Sequence, residues 1–227
     1  MNADTLTPKN IRAGWCWMAF QLLLLPQLVT GAAGLLPVEV SDAAVNFGYH
    51  LVCFLGVFLI FFHYLQASFR CVVKNWRRCA LVCALTVLVY YAAAWAVTRF
   101  IGFCDPAFAN RNDASITAMR QQGLVLTAIT TVLLAPLSEE CLFRGLMFGQ
   151  LVKKGRPGAY ALSALCFGLI HVMGYLGTYT PLHLLLSLLQ YAPAGLILAW
   201  SYEKSGTIAV PILVHMMINA VSMVQII

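Results

Sequence analysis

Apolar residues fill this chain in seven long blocks, each closed by polar or charged positions, at about residues 14–36, 43–66, 79–103, 123–152, 159–176, 182–202 and 207–226. Each is near the roughly 20 residues that an α-helix needs to cross bilayer hydrocarbon, so the pattern predicts an all-α, polytopic bundle of seven transmembrane helices. Pro26 and two glycines soften the first block, and the fourth is long enough that its helix must tilt, bend or project. The longest connection between blocks is the polar run 105–122. No repeat, low-complexity segment or linker divides the sequence. It reads as one integral-membrane domain over residues 1–227, with a motif-bearing core at about 123–227 and N-terminal helices at 13–104 that carry no recognised motif.

Composition agrees with the pattern. Of 227 residues, 61% are hydrophobic and 10% charged, with mean hydropathy +0.83, outside the usual range of soluble globular domains. The formal charge of +6 does not point to nucleic acid, because the Lys and Arg residues stand at the ends of apolar blocks, where they orient helices. Placing Lys9 and Arg12, the Arg70–Arg78 cluster, Lys153, Lys154, Arg156 and Lys204 on one side satisfies alternation through all blocks. That puts the N-terminus in the cytoplasm and the C-terminus outside, against Arg111 and Arg120. The compact chain suits a multi-pass protein of a prokaryotic cell membrane, with its basic cluster on anionic lipid headgroups.

The polar start Met1–Arg12 shows no cleavable signal. Eight cysteines form no CxxC pair and read as reduced packing residues, and the terminus Val-Gln-Ile-Ile carries no prenylation box. His50, His63 and His183 read as interfacial or packing residues, and Trp15, Trp17, Tyr90, Tyr91 and Tyr202 as an aromatic belt.

One block is interrupted where charge is most costly. In Ala135–Gln150, APLSEECLFRGLMFGQ, three charged side chains fall within six positions. Each costs about 2.5–3.5 kcal/mol at the centre of a spanning helix unless it faces a protected interior. Helical spacing lets Arg144 pair with Glu140, four residues before it, while Glu139 points about 100° away and stays free to face another helix. Glu139 is therefore the better candidate base, although the reverse assignment of the two glutamates stays open. Pro136, a turn earlier, removes a backbone donor and frees a carbonyl.

Two later blocks carry polar pairs at the same spacing: Phe167-Gly-Leu-Ile-His171 and His215-Met-Met-Ile-Asn219. At 1.5 Å per residue, Glu139, His171 and Asn219 lie about 18 Å from the cytoplasmic ends of their blocks and His215 about 12 Å. Four polar positions on three helices thus share a level near mid-bilayer and can converge on one cavity.

The three motifs, Glu139-Glu140-x-x-x-Arg144, Phe167-x-x-x-His171 and His215-x-x-x-Asn219, resemble those of the CPBP family of intramembrane proteases, which includes the type II CAAX prenyl proteases and bacteriocin-processing proteins. The resemblance covers about Leu133 to Ala220. It implies that Glu139 and His171 activate a water for attack on a peptide carbonyl and that His215 and Asn219 donate to the oxyanion. Glu140, Arg144 and Phe167 would support them. It implies no cofactor, and a membrane-associated polypeptide substrate: a lipidated C-terminus, a leader peptide or a C-terminal sorting tag. Residue chemistry agrees, since a carboxylate beside an imidazole can take a proton from water and fixed donors stabilise oxyanions best in a dry cavity.

Other readings remain. Glu139, His171 and His215 also make a possible zinc set, though without an HExxH helix. Cys141 could be a nucleophile but reads as a packing residue. The polar residues could also form a structural network in a non-enzymatic immunity or scaffold protein, or serve a proton-coupled transporter, although no inverted repeat supports the latter.

Overall fold

The computed structural model describes residues 6–225; the extreme N-terminal residues and the last two residues of the Val-Gln-Ile-Ile terminus lie outside them. The described residues form nine helices and no strand: α1 (Pro8–Leu23), α2 (Leu25–Gly34), α3 (Asp42–Lys74), α4 (Trp76–Cys104), α5 (Arg111–Gln122), α6 (Leu124–Leu151), α7 (Arg156–Val172), α8 (Pro181–Ser205) and α9 (Ala209–Gln225). Five of them, α3, α4, α6, α7 and α8, are long and apolar enough to cross a membrane. The chain is an all-α, polytopic membrane bundle.

Of the seven expected spans these five stand, and the first and last blocks depart from the expectation. The first block is a pair, α1 and α2, bent by 46° at the residues before Pro26, where the proline restricts its predecessor. The last is a 17-residue helix, about 26 Å long, which is short of the roughly 30 Å of hydrocarbon. The polar run 105–122, expected as a connection, contains α5.

Local chemistry fixes the helix ends. Ser41 caps α3 by accepting from the Ala44 N–H, with Asp42 in the first turn and Lys74 in the last, both favourable to the helix dipole. Asn110 caps α5 through the N–H groups of Asn112 and Asp113, and Thr180 caps α8 through His183. Gly206 takes the left-handed conformation that ends α8, at φ 75°.

Small residues bring α7 and α8 into close contact. A Cβ on Gly195 would lie 2.4 Å from the Ala164 Cα, and one on Gly168 would lie 3.2 Å from Leu188 Cδ2. Among the described residues, the larger of two clusters of buried apolar side chains runs from Met18 of α1 through Phe61 of α3 and Val82 of α4 to Leu142, Phe167, Leu198 and Val214. Two of the expected belt aromatics turn inward instead: Tyr202 accepts a hydrogen bond from the Tyr64 hydroxyl at 3.1 Å, and Tyr90 lines the central cavity.

The molecule has two rims. At one, α3, α4, α7 and α8 bring their basic ends together: Arg78 Nε donates to the Lys204 carbonyl at 2.8 Å and Arg156 pairs with Glu203 at 2.7 Å. At the other, α5 lies across the start of α3, where Gln122 bonds Ala43 and Asp42, and against the α7–α8 connection, where the Tyr175 hydroxyl donates to Ser115 at 2.6 Å.

Candidate active site

Pro136 sets the register of α6. Two segments of this helix, Ile129–Leu134 and Cys141–Phe148, are wound as π-helix, one on each side of the proline's turn. In that register each N–H reaches five residues back, and Ala135 donates to the Thr130 carbonyl. The next donor in the register, aimed at the Thr131 carbonyl, is the one proline lacks. Asn219 of α9 supplies it, with Nδ2 donating to Thr131 O at 2.8 Å. An amide nitrogen has two N–H donors, so one remains for another acceptor.

One turn later the two glutamates part. Glu140 is fully buried and accepts at Oε1 from Arg144 Nη1 and from His215 Nδ1, both at 2.8 Å. Arg144, also fully buried, donates to the Ala194 carbonyl at 3.1 Å and lies over the Phe167 ring, 4.3 Å from its centroid. A buried charge left alone would be strongly destabilising, and these contacts give Arg144 an anion, a carbonyl and a ring face. Glu139 faces the cavity. Its Oε2 is buried, makes no hydrogen bond to the described residues and stands 4.0 Å from His215 Nε2, too far for a direct bond.

Both histidines present the same atom. Nδ1 of His171 lies 2.7 Å from the Phe167 carbonyl and Nδ1 of His215 lies 2.8 Å from the Glu140 carboxylate. Those oxygens accept only, so in each ring Nδ1 carries a proton and Nε2 is left for the cavity. His171 stacks on Tyr191, with centroids 4.2 Å apart and planes 22° from parallel, and Phe167 packs between the two imidazoles.

Glu139, His171, His215 and Asn219 all line one cavity of about 420 Å³, as does Phe167, within the size range of small-molecule and peptide pockets. Glu140 and Arg144 lie behind its wall. Among the described residues no three His, Cys, Asp or Glu side chains are grouped as metal ligands. Cys141 is fully buried among apolar side chains, away from the cavity wall.

Residue-by-residue reading missed part of the wall. His50, expected as an interfacial or packing residue, lines the same cavity with Asn46. They stand four apart in an apolar block, the spacing that singled out His215 and Asn219. Gln190 and Tyr191 of α8 line it too, and gave no such signal.

A helical membrane bundle enclosing a mid-helix carboxylate, two imidazoles and an amide defines a class before any relative is consulted: a polytopic membrane protein with a polar, enclosed site. Residues 121–221 match the family model described as Type II CAAX prenyl endopeptidase Rce1-like. The matched stretch is just under half of the chain and carries all three motifs, so the family resemblance stands for this region. Two curated relatives align with the chain. "Putative membrane peptidase YdiL" of Bacillus subtilis (strain 168) is 31% identical over 99 residues, 43% of this chain and 36% of that protein. "Uncharacterized 24.3 kDa protein" of Escherichia coli is 31% identical over 93 residues, 41% of each. The chain thus spans about two fifths of the length of the curated relatives it matches. No solved structure matches it.

Proposed function

We propose that this protein is an intramembrane endopeptidase that hydrolyses a peptide bond of a membrane-associated polypeptide, with a glutamate as base and without a metal. The observation that carries this reading is the unpartnered Oε2 of Glu139, buried in a cavity into which two imidazoles direct Nε2. The family match of residues 121–221 supports it.

In this mechanism a water sits between Glu139 and Nε2 of His171. Glu139 takes one of its protons as the oxygen attacks the peptide carbonyl, a role worth about 10²–10⁴-fold for a positioned base. The tetrahedral oxyanion forms beside α9. There the second N–H of Asn219 donates to the oxyanion, and His215, held at Nδ1 by Glu140, turns its Nε2 edge to the same place. Proton return from Glu139 to the leaving amine completes the cycle. Glu140 and Arg144 hold His215 in place. The substrate would be a lipidated C-terminus, a leader peptide or a C-terminal sorting tag.

A structural reading draws on one observation: Arg144 and His215 both bond Oε1 of Glu140, a contact that would serve a scaffold equally well. Glu139 separates the two, because it bonds none of them. Glu139→Gln is expected to lower turnover at least 100-fold while the protein accumulates and melts as before, with precursor polypeptides building up in the membrane fraction. The unmodified protein should keep its activity in a chelator. Unchanged processing in Glu139→Gln would sink the protease; chelator-dependent loss would sink the metal-free mechanism.

A further inference from the structure

The cavity is not symmetric across the membrane. Along α6 its wall is formed by Thr130, Thr131, Ala135 and Glu139, and by no residue beyond Glu139. From Glu140 to Gly149 every side chain of that helix is buried, Phe143, Arg144 and Phe148 among the largest, and this plug separates the cavity from the basic rim. Two other helices share the bias: on α3 the lining is Asn46 and His50, near its start, and on α9 it begins at His215 and extends toward the end of the helix, while on α8 it spans the middle, from Gln190 to Leu198. His171 is one residue from the end of α7, about 22 Å along the helix from Arg156 at the basic rim. Glu139 is the floor of a pit, and its upper wall includes Asn112 and Ile116 of α5.

The charge distribution says which side that is. Of fourteen Lys and Arg residues, ten stand at the rim beneath the plug: Lys9 and Arg12, four from Arg70 to Arg78, three from Lys153 to Arg156, and Lys204. Three, Arg99, Arg111 and Arg120, are toward the α5 rim, and Arg144 is interior. Short connections rich in Lys and Arg stay in the cytoplasm.

We infer that the site opens to the non-cytoplasmic side, through the mouth that α5 borders, so that its substrates are exported polypeptides held at the membrane by an anchor. This rests on the protease reading for the word substrate, but the direction of opening stands on geometry and charge alone. Of the substrate kinds named above, it selects those whose cleavage site has crossed the membrane. No Lys or Arg lines the cavity, so the segment that enters meets amides, imidazoles, aromatic rings and the carboxylates of Asp113 and Glu139.

Two native thiols make the test possible without altering the protein. Cys104, exposed at the end of α4, marks the α5 rim, and Cys71, half-buried near the end of α3, marks the basic rim. Intact cells producing the protein are treated with a membrane-impermeant maleimide, and the modified cysteines are mapped by mass spectrometry before and after the membrane is opened. Cys104 is expected to be labelled in intact cells, with Cys71 labelled only after opening. Labelling of Cys71 in intact cells, alone or together with Cys104, overturns the proposal. If neither native thiol reacts, Asn112→Cys at the mouth and Lys153→Cys at the basic rim decide by the same rule. Lack of labelling at Asn112→Cys in intact cells then counts against the proposed opening. The labelling pattern does not depend on cleavage, whereas Glu139→Gln tests cleavage without reference to sidedness, so the two readings fail separately.

Discussion

Arg144 and Asn219 both hold the site together, but by bonds of different cost. Arg144 is a charge with no access to water, and removing it leaves Glu140 ionised in the interior with His215 as its remaining bonded partner. Breaking a buried pair from one side typically costs about 3–5 kcal/mol, so Arg144→Met is expected to lower the melting temperature of the detergent-solubilised protein sharply and reduce its accumulation. Asn219 makes a neutral bond to the Thr131 carbonyl, whose loss costs about 1–3 kcal/mol. If its second N–H serves the oxyanion, Asn219→Ala also lowers kcat by about 100-fold while KM changes little. A variant that melts lower but turns over normally would show that the carbonyl bond is the whole of its role. The pairing of Glu140 with Arg144 was legible in the sequence because both lie on one helix and the i, i+4 rule needs nothing else. The bond from Asn219 to Thr131 was not, because it joins residues 88 apart in sequence and depends on a π-helical register that the residues around Pro136 do not announce.

At the scale of the helices, hydropathy placed the blocks because a bilayer demands unbroken apolar runs, and the caps at Ser41, Asn110 and Thr180 are read from single residues. What hydropathy could not give is how closely two blocks approach, since that depends on which glycines face a neighbour. Gly195 faces Ala164 with no room for a Cβ, while Gly102 on α4 has nothing within 4 Å of the same position. Gly195→Ala must therefore push the backbones of α7 and α8 apart at the point where the Ala194 carbonyl receives Arg144 and the Gly195 carbonyl receives Ser163. Overpacking of this kind costs about 1–3 kcal/mol, whereas Gly102→Ala should be neutral or slightly stabilising. Thermal denaturation of the two variants side by side checks this; equal melting would mean that the α7–α8 contact yields without strain.

At the scale of the whole molecule, the decisive element is α5, which the sequence showed only as a polar interval because it has no apolar stripe to identify it. Its partners are distant in the chain: Asn110 donates to Gln190 at 2.9 Å, Gln190 donates to Asp113 at 3.1 Å, and the Tyr191 hydroxyl donates to Asn110 at 3.3 Å. Asn110 thus does two things at once, ending the connection from α4 as the cap of α5 and fastening that helix to α8 beside the ring that supports His171. Replacing it with leucine removes the cap, worth about 1 kcal/mol, and the bond to Gln190, worth about as much again. Local opening of α5 should then become about 10- to 30-fold more frequent, since each 1.4 kcal/mol is a factor of ten in an equilibrium. Faster amide exchange over residues 111–122 in Asn110→Leu, with α6 to α8 unchanged, is the expected outcome, because helices buried in the core open by a different route from one secured at its ends. Exchange that speeds up equally in α6 would mean instead that α5 is part of the cooperative core, and that the wall of the cavity moves only when the bundle does.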